Sequence, residues 1–316
     1  MPILFTGTSY ADSLIPVVVP TTPALSGSLS VAEAEVFPAF LLVDDAASFA
    51  NLEASEGDLP YELQGVRAFI TIPAILVAGK ELTIPQPLVR VRPTRQCLSY
   101  DSTCTQVLAV SVQIDWLQTI ASDVYGYLWF TIGSRQSRRI ELLPRFINPS
   151  ILGRCGERFD TLACPYQPAV FHSDGRLVQA NLPARSGEML TVYLYGLGLT
   201  DPPVPVGKRA PSAPLARITS NVSLAIDYRV NAAPRFQAEK MAQVSGYESV
   251  RELIPDFIGL PPGSVGLYQI NFVLPRPVTP VAQCASSEDS NVTITVSGAD
   301  LPHVRLGFAG IRLCME

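Results

Sequence analysis

Apolar and polar positions alternate along most of this chain. Val110, Val112, Ile114 and Trp116 share a face opposite Ser111, Gln113 and Asp115. Leu128, Phe130 and Ile132 oppose Tyr127, Trp129 and Thr131, and Leu190, Val192 and Leu194 oppose Thr191, Tyr193 and Tyr195. Phe69 and Thr71 alternate with Ile70 and Ile72, while Val222, Leu224, Ile226 and Tyr228 form a further set, as do Val292, Ile294 and Val296. A repeat of two sends successive side chains to opposite sides of an extended backbone, so each run predicts a half-buried strand. Short strands spaced by Gly, Pro and Asp favour a sandwich. The expected fold is all-β: two immunoglobulin-like β-sandwich domains with a short helical insertion near 235–254. The insertion rests on Phe236, Met241, Val244, Val250 and Leu253, a helix-like stripe interrupted at Ser245-Gly246. Residues 46–53 are a second, shorter helical candidate.

The best-marked segment runs from Phe257 to Pro275. Gly259, Gly263 and Gly266 permit tight or left-handed turns. After them Leu267, Gln269 and Asn271 face one way and Tyr268, Ile270 and Phe272 the other. Nothing catalytic lies in the segment, so its marking is architectural. The domain plan reads as an extended segment at 1–25, an N-terminal sandwich at 26–150, a Cys-containing linker at 151–164 without periodicity, and a C-terminal sandwich at 165–316.

Composition narrows the functional classes. The chain has 316 residues, of which 47% are hydrophobic and 16% charged, with a net charge of -5. It can bury a large core, and its net charge argues against a nucleic-acid partner, which would require a basic face. No apolar run reaches membrane-spanning length. The six cysteines fall into three sets, and the simplest of the fifteen connectivities pairs Cys97 with Cys104, Cys155 with Cys164, and Cys284 with Cys314. Disulfides place the chain in an oxidising compartment, extracellular or on the cell surface. Met1-Pro-Ile-Leu-Phe5 shows no basic segment of a secretory signal, so the compartment is read from the cysteines.

Candidate chemistry is sparse. His172-Ser173-Asp174 has the letters of a hydrolase triad, but adjacent residues cannot converge as a triad does, and Ser-Asp-Gly175 signals a turn. His303 reads as a surface residue. Gly196-Leu-Gly198 lacks the third glycine of a dinucleotide fingerprint and reads as a tight turn. Asp44, Asp45 and Asp101 lack calcium-loop spacing, and Glu33, Glu35, Glu53 and Glu56 form no acid/base pair. Asn221-Val-Ser223 and Asn291-Val-Thr293 fit the glycan-acceptor pattern but match by coincidence. No catalytic residue, cofactor or metal is expected. Tyr127, Trp129, Tyr193, Tyr195 and Tyr268 lie on strands, and those facing outward can stack on sugars or enter an interface.

Two blocks carry a resemblance. Asn181-Leu-Pro-Ala-Arg-Ser-Gly-Glu-Met-Leu-Thr-Val-Tyr-Leu-Tyr-Gly-Leu-Gly-Leu-Thr-Asp-Pro-Pro203 and the Gly-Leu-Tyr-Gln-Ile-Asn stretch at 266–271, with Pro165 to Phe171 leading in and Asp174-Gly175 after it, resemble a C-terminal domain widespread in secreted proteins of acidobacteria. The likeness covers roughly residues 165–316 and departs from the family at 232–254. It implies a secreted β-sandwich module and names no catalytic residue. The expected function is that of a non-catalytic extracellular structural protein that binds copies of itself or another surface protein in a filament or layer. Leu14, Ile15, Val17, Val18 and Val19 are the assembly candidates, a strand able to join a neighbour's sheet edge. The alternatives are a carbohydrate-binding or adhesion module, with polysaccharide as partner, and an accessory domain of a larger secreted protein.

Overall fold

The computed structural model describes residues 13–17, 29–32, 34–54, 57–73, 79–97, 104–116, 125–152, 168–232, 250–277, 280–284, 290–300 and 305–316. Among them, every regular element is a strand except a 3-10 turn at Ala46–Ser48. No helix is long and apolar enough to cross a membrane among the described residues. The chain divides into two compact units, Met1–Arg145 with Pro205–Arg209, and Phe146–Val204 with Ala210–Glu316.

The first unit holds β1 (Ser13–Val17), β2 (Leu29–Ala32), β3 (Val36–Leu42), β4 (Leu52–Glu53), β5 (Val66–Ile72), β6 (Leu82–Gln86), β7 (Leu88–Cys97), β8 (Cys104–Gln113), β9 (Gly126–Ile132), β10 (Arg135–Ser137) and β11 (Ile140–Arg145). One layer runs β6, β5, β9, β11, β2, with β10 also on β9; the other runs β3, β8, β7, β4. Their apolar faces share one core, to which Ile70, Leu128 and Phe130 come from the first layer and Leu41, Val110 and Val112 from the second. The alternation predicted for 110–116 holds at its apolar positions, since Val110, Val112, Ile114 and Trp116 are all buried. Gln113 departs from it. It is buried as well, because its amide donates to the Ala34 carbonyl (3.1 Å) and accepts from the Gly207 N–H (2.7 Å). A buried amide is tolerated when its hydrogen bonds are made.

β1 is not a detached arm. It runs parallel to β10, with Leu14 opposite Ser137, and antiparallel to β3, with Ile15 opposite Leu42 and Val17 opposite Phe40. Its first two residues pair with β10 and its last three with β3, both within its own unit, so it joins the two layers. Val18 and Val19 lie outside the described residues. Residues 46–53, a helical candidate in the sequence, form the 3-10 turn followed by the edge strand β4. The boundary falls at Arg145 and Phe146, earlier than the expected linker, and the return of 205–209 to the first unit has no sequence signal.

The second unit holds β12 (Ser150–Ile151), β13 (Val170–His172), β14 (Met189–Tyr195), β15 (Thr200–Asp201), β16 (Ala216–Ile218), β17 (Val222–Asp227), β18 (Val250–Leu253), β19 (Pro255–Leu260), β20 (Tyr268–Val273), β21 (Val292–Asp300) and β22 (Arg305–Leu313). One sheet is ordered β12, β14, β20, β19, β16, β15, with β13 also on β14; the other is β18, β17, β21, β22. Leu190, Val192, Ile270 and Phe272 from the first share a core with Leu224, Ile226, Ile294 and Val296 from the second.

The helical insertion is corrected at its C-terminal end. Val250 to Leu253 is β18, registered on β17 from Asp227 to Leu224, with Val250 and Leu253 buried. Apolar residues three apart suit a helical stripe, yet strand pairing decides here. The other residues assigned to the insertion, up to 249, lie outside the described residues. Cys284 and Cys314 form a disulfide with a Cα separation of 6.0 Å. Cys97 and Cys104 are opposite each other where β7 meets β8, though their side chains, like all of Cys155 and Cys164, lie outside the described residues. The Tyr228 hydroxyl donates to the Pro275 carbonyl at 2.7 Å, and burial pushes its phenol up to about 12, so it stays protonated as a donor.

Candidate functional site

The two blocks that stood out in the sequence become neighbouring strands. β14 pairs antiparallel with β20, Leu194 opposite Tyr268 and Thr191 opposite Asn271. Tyr268 is buried, and its hydroxyl donates to the Gly198 carbonyl. The tyrosine of one block therefore holds the glycine turn of the other. Gly196 and Gly198 both take positive φ, as the tight-turn reading requires.

The three turn glycines divide by cause. Gly263 and Gly266 have φ of 75° and 60°. Gly259 instead sits inside β19, where a Cβ would fall within van der Waals contact of the Ala216 carbonyl and meet the Phe257 ring at 2.9 Å. Close approach of the neighbouring strand, not a turn, demands glycine there.

His172 is not part of a triad. Its Nδ1 lies 2.5 Å from Glu188 Oε1, and Nε2 lies 3.3 Å from the Leu182 carbonyl. Glu188 Oε2 accepts the Arg185 N–H at 2.9 Å. This buried histidine fastens the 185–188 turn to β13, a role the sequence did not reveal. Asp174 folds back on Arg176 through its backbone N–H (3.0 Å) and guanidinium (2.6 Å), bonds that lower its carboxyl below the usual range. Asn291 is buried and donates to the Ala282 and Met315 carbonyls, so it serves packing, whereas Asn221 is exposed. Glu35 is buried and accepts the Ala32 N–H at 2.7 Å, and Asp45 lies 3.4 Å from Arg135. Asp101 and His303 lie outside the described residues. Among the described residues no group of three or more metal-ligating side chains converges.

Aromatic chemistry gathers on the solvent side of β5 and β9. The inward residues Ala68, Ile70, Leu128 and Phe130 are buried, which turns Arg67, Phe69, Tyr127 and Trp129 outward. Register sets Phe69 opposite Trp129, and their rings stack at 4.5 Å and 19°. The indole N–H donates to Thr71 Oγ1 at 3.0 Å, and Thr71 shares a 3.1 Å hydrogen bond with Thr83 of β6. Arg139 lies 5.9 Å from the centre of the Tyr127 ring and 3.8 Å from Glu81, while Arg67 pairs with Glu62. Pro85, exposed on β6, is registered opposite Phe69 and extends the strip. The result is a band of half-buried rings over the buried Thr71, with the exposed Thr83 and arginines already matched with carboxylates beside it.

No family model and no curated protein matches the sequence. Among solved structures, the chain aligns with the C-terminal domain of the AgI/II polypeptide BspA of Streptococcus agalactiae at 9% identity, over 96% of this chain and 98% of that chain, with a TM-score of 0.17. A score of that size transfers nothing about fold or function.

Proposed function

We propose that this chain is a non-catalytic extracellular protein of the adhesion or accessory-module kind, and that its first unit binds neutral polysaccharide on the Phe69–Trp129–Tyr127 strip. The observation that carries the reading is the stacked Phe69–Trp129 pair held outward on the sheet by the indole hydrogen bond to Thr71. Pyranose rings with equatorial hydroxyls offer an apolar C–H face to an aromatic ring and hydroxyls to flanking polar groups, the division of labour usual in small-molecule sites. The neighbouring arginines already face Glu62 and Glu81, which favours an uncharged polymer over an acidic one. The Cys284–Cys314 disulfide supports an extracellular setting. Residues 165–316 belong, on this reading, with the secreted acidobacterial domains they resemble. Self-association by strand donation has less support, because β1 is already paired with β10 and β3 within its own unit.

The test is native electrophoresis through gels containing hydroxyethylcellulose, xylan, laminarin or glycol chitin. At least one polymer should retard the wild-type chain, and Trp129→Ala should weaken that retardation about tenfold or more without altering thermal melting, a loss of one stacked ring. Retardation by none of the four, or equal retardation of the variant, would sink the proposal.

A further inference from the structure

The second unit carries an outward face of a different design. β13, β14, β20, β19 and β16 lie side by side, about 19 Å across at ordinary strand spacing. Inward, Leu190, Val192, Ile270 and Phe272 fill the core. Outward, the side chains form a graded band. Phe171 and Tyr193 meet edge to face at 5.7 Å at one end. Phe257 lies at the other, over Gly259, with the Arg217 guanidinium 5.0 Å from its ring centre. Asp201 is registered opposite Arg217 and supplies a balancing charge.

Between the aromatic ends are two strand amides. Asn271 Oδ1 accepts from Thr191 Oγ1 at 3.1 Å and from Gln269 Nε2 at 2.8 Å. Both lone pairs of that oxygen are thereby used, which orients the two amides. Asn271 Nδ2 and Gln269 Oε1 then have no partner among the described residues, and neither atom is buried. Asn is depleted in strands, where β-branched and aromatic residues pack better. A donor and an acceptor, held in fixed positions between ring faces, match adjacent hydroxyls of a sugar.

We propose that this face is a second glycan-binding site, for an uncharged polysaccharide chain lying across β14, β20 and β19. The groups at its centre are neutral, so the groups they recognise are hydroxyls or amides and not carboxylates. A polymer presents the same unit repeatedly, so two faces on one chain strengthen attachment by raising the effective concentration of the second contact. The site rests on residues separate from those of the first unit and is testable apart from them.

The experiment compares the wild-type chain with Trp129→Ala, Asn271→Ala, Gln269→Ala and the Trp129→Ala/Asn271→Ala pair in gels containing hydroxyethylcellulose, xylan, laminarin or glycol chitin, with thermal melting of each. Gln269→Ala removes a side chain whose hydrogen bond runs to Asn271, and keeps the test meaningful if Asn271→Ala melts early. The expectation is residual retardation for Trp129→Ala, weakening of about fivefold for each amide variant, the size of one hydrogen bond, and complete loss for the pair. Complete loss from Trp129→Ala alone, or amide variants indistinguishable from wild type, overturns the second site while leaving the first. A wild-type chain that no polymer retards overturns both.

Discussion

Gly198→Ala is expected to lower the melting temperature of the second unit by about 5–15 °C. Gly198 has φ of 84°, a region that costs a residue with a Cβ roughly 1–2 kcal/mol. Its Cβ would also lie 2.7 Å from the Phe146 carbonyl and 2.7 Å from Ser220 Oγ, and forced overlap in a packed region adds about 1–3 kcal/mol. The Gly198 carbonyl is the acceptor for the buried Tyr268 hydroxyl, so any shift of the turn disturbs β20 as well. Each kcal/mol moves the transition of a domain this size by about 2–4 °C. Gly263→Ala supplies the control. Gly263 has φ of 75° but open space around its Cβ, so it should show the backbone cost alone, about 1–2 kcal/mol. Calorimetry of both variants checks the difference, and equal melting would mean that the crowding at Gly198 is absent.

Cys284→Ser is expected to be comparably severe. The disulfide joins residues 30 apart and fastens the segment before β21 to the end of β22. Closing a loop of that length restricts the unfolded chain by about 3–4 kcal/mol on the chain-entropy account. Next to it, Asn291 bonds the Ala282 and Met315 carbonyls and accepts the Met315 N–H, so the same chain end is held by a second set of contacts. The serine variant should therefore fold but denature at clearly lower guanidinium concentration, and reductant should bring the wild type to the same midpoint. A midpoint unchanged by either treatment would show that the hydrogen bonds alone hold the terminus.

Strand identity and facing were readable from the chain because burial leaves a local mark. The period of two grouped Trp116 with Val112 and Ile114, and Tyr268 with Ile270 and Phe272, and each group is buried together. What depends on distant partners left no such mark. Phe69 and Trp129 are 60 residues apart, and only the β5–β9 register makes them a stacked pair. Gly259 resembled a turn glycine in its Pro- and Gly-rich setting, yet the backbone of β16 is its reason for being glycine. Gln113 and Glu35 occupy polar positions in the pattern and are nonetheless buried, because their hydrogen bonds are supplied from elsewhere in the fold. Val250 and Leu253 fitted a helical stripe until pairing with β17 made them a strand. His172 joined Glu188 across 16 residues, a pairing that no motif announced.

The candidate surface was half legible. Some of Tyr127, Trp129, Tyr193, Tyr195 and Tyr268 were expected to face outward, and Tyr268 is the one that turns inward to hold Gly198. The alternation set Gln269 and Asn271 together on one face of their strand, while the hydrogen bond between them left no mark in the pattern.

The most direct measurement of the central claim uses the two tryptophans. Trp116 is buried in the core and Trp129 is on the outward strip, so their fluorescence reports different places. Titration with soluble oligosaccharides cut from whichever polymer retards the chain should shift the emission to shorter wavelength and saturate, and Trp129→Phe should abolish that shift while leaving the Trp116 emission unchanged. A saturating shift that persists in Trp129→Phe, or oligosaccharide binding by calorimetry with no change in Trp129 emission, would contradict the account.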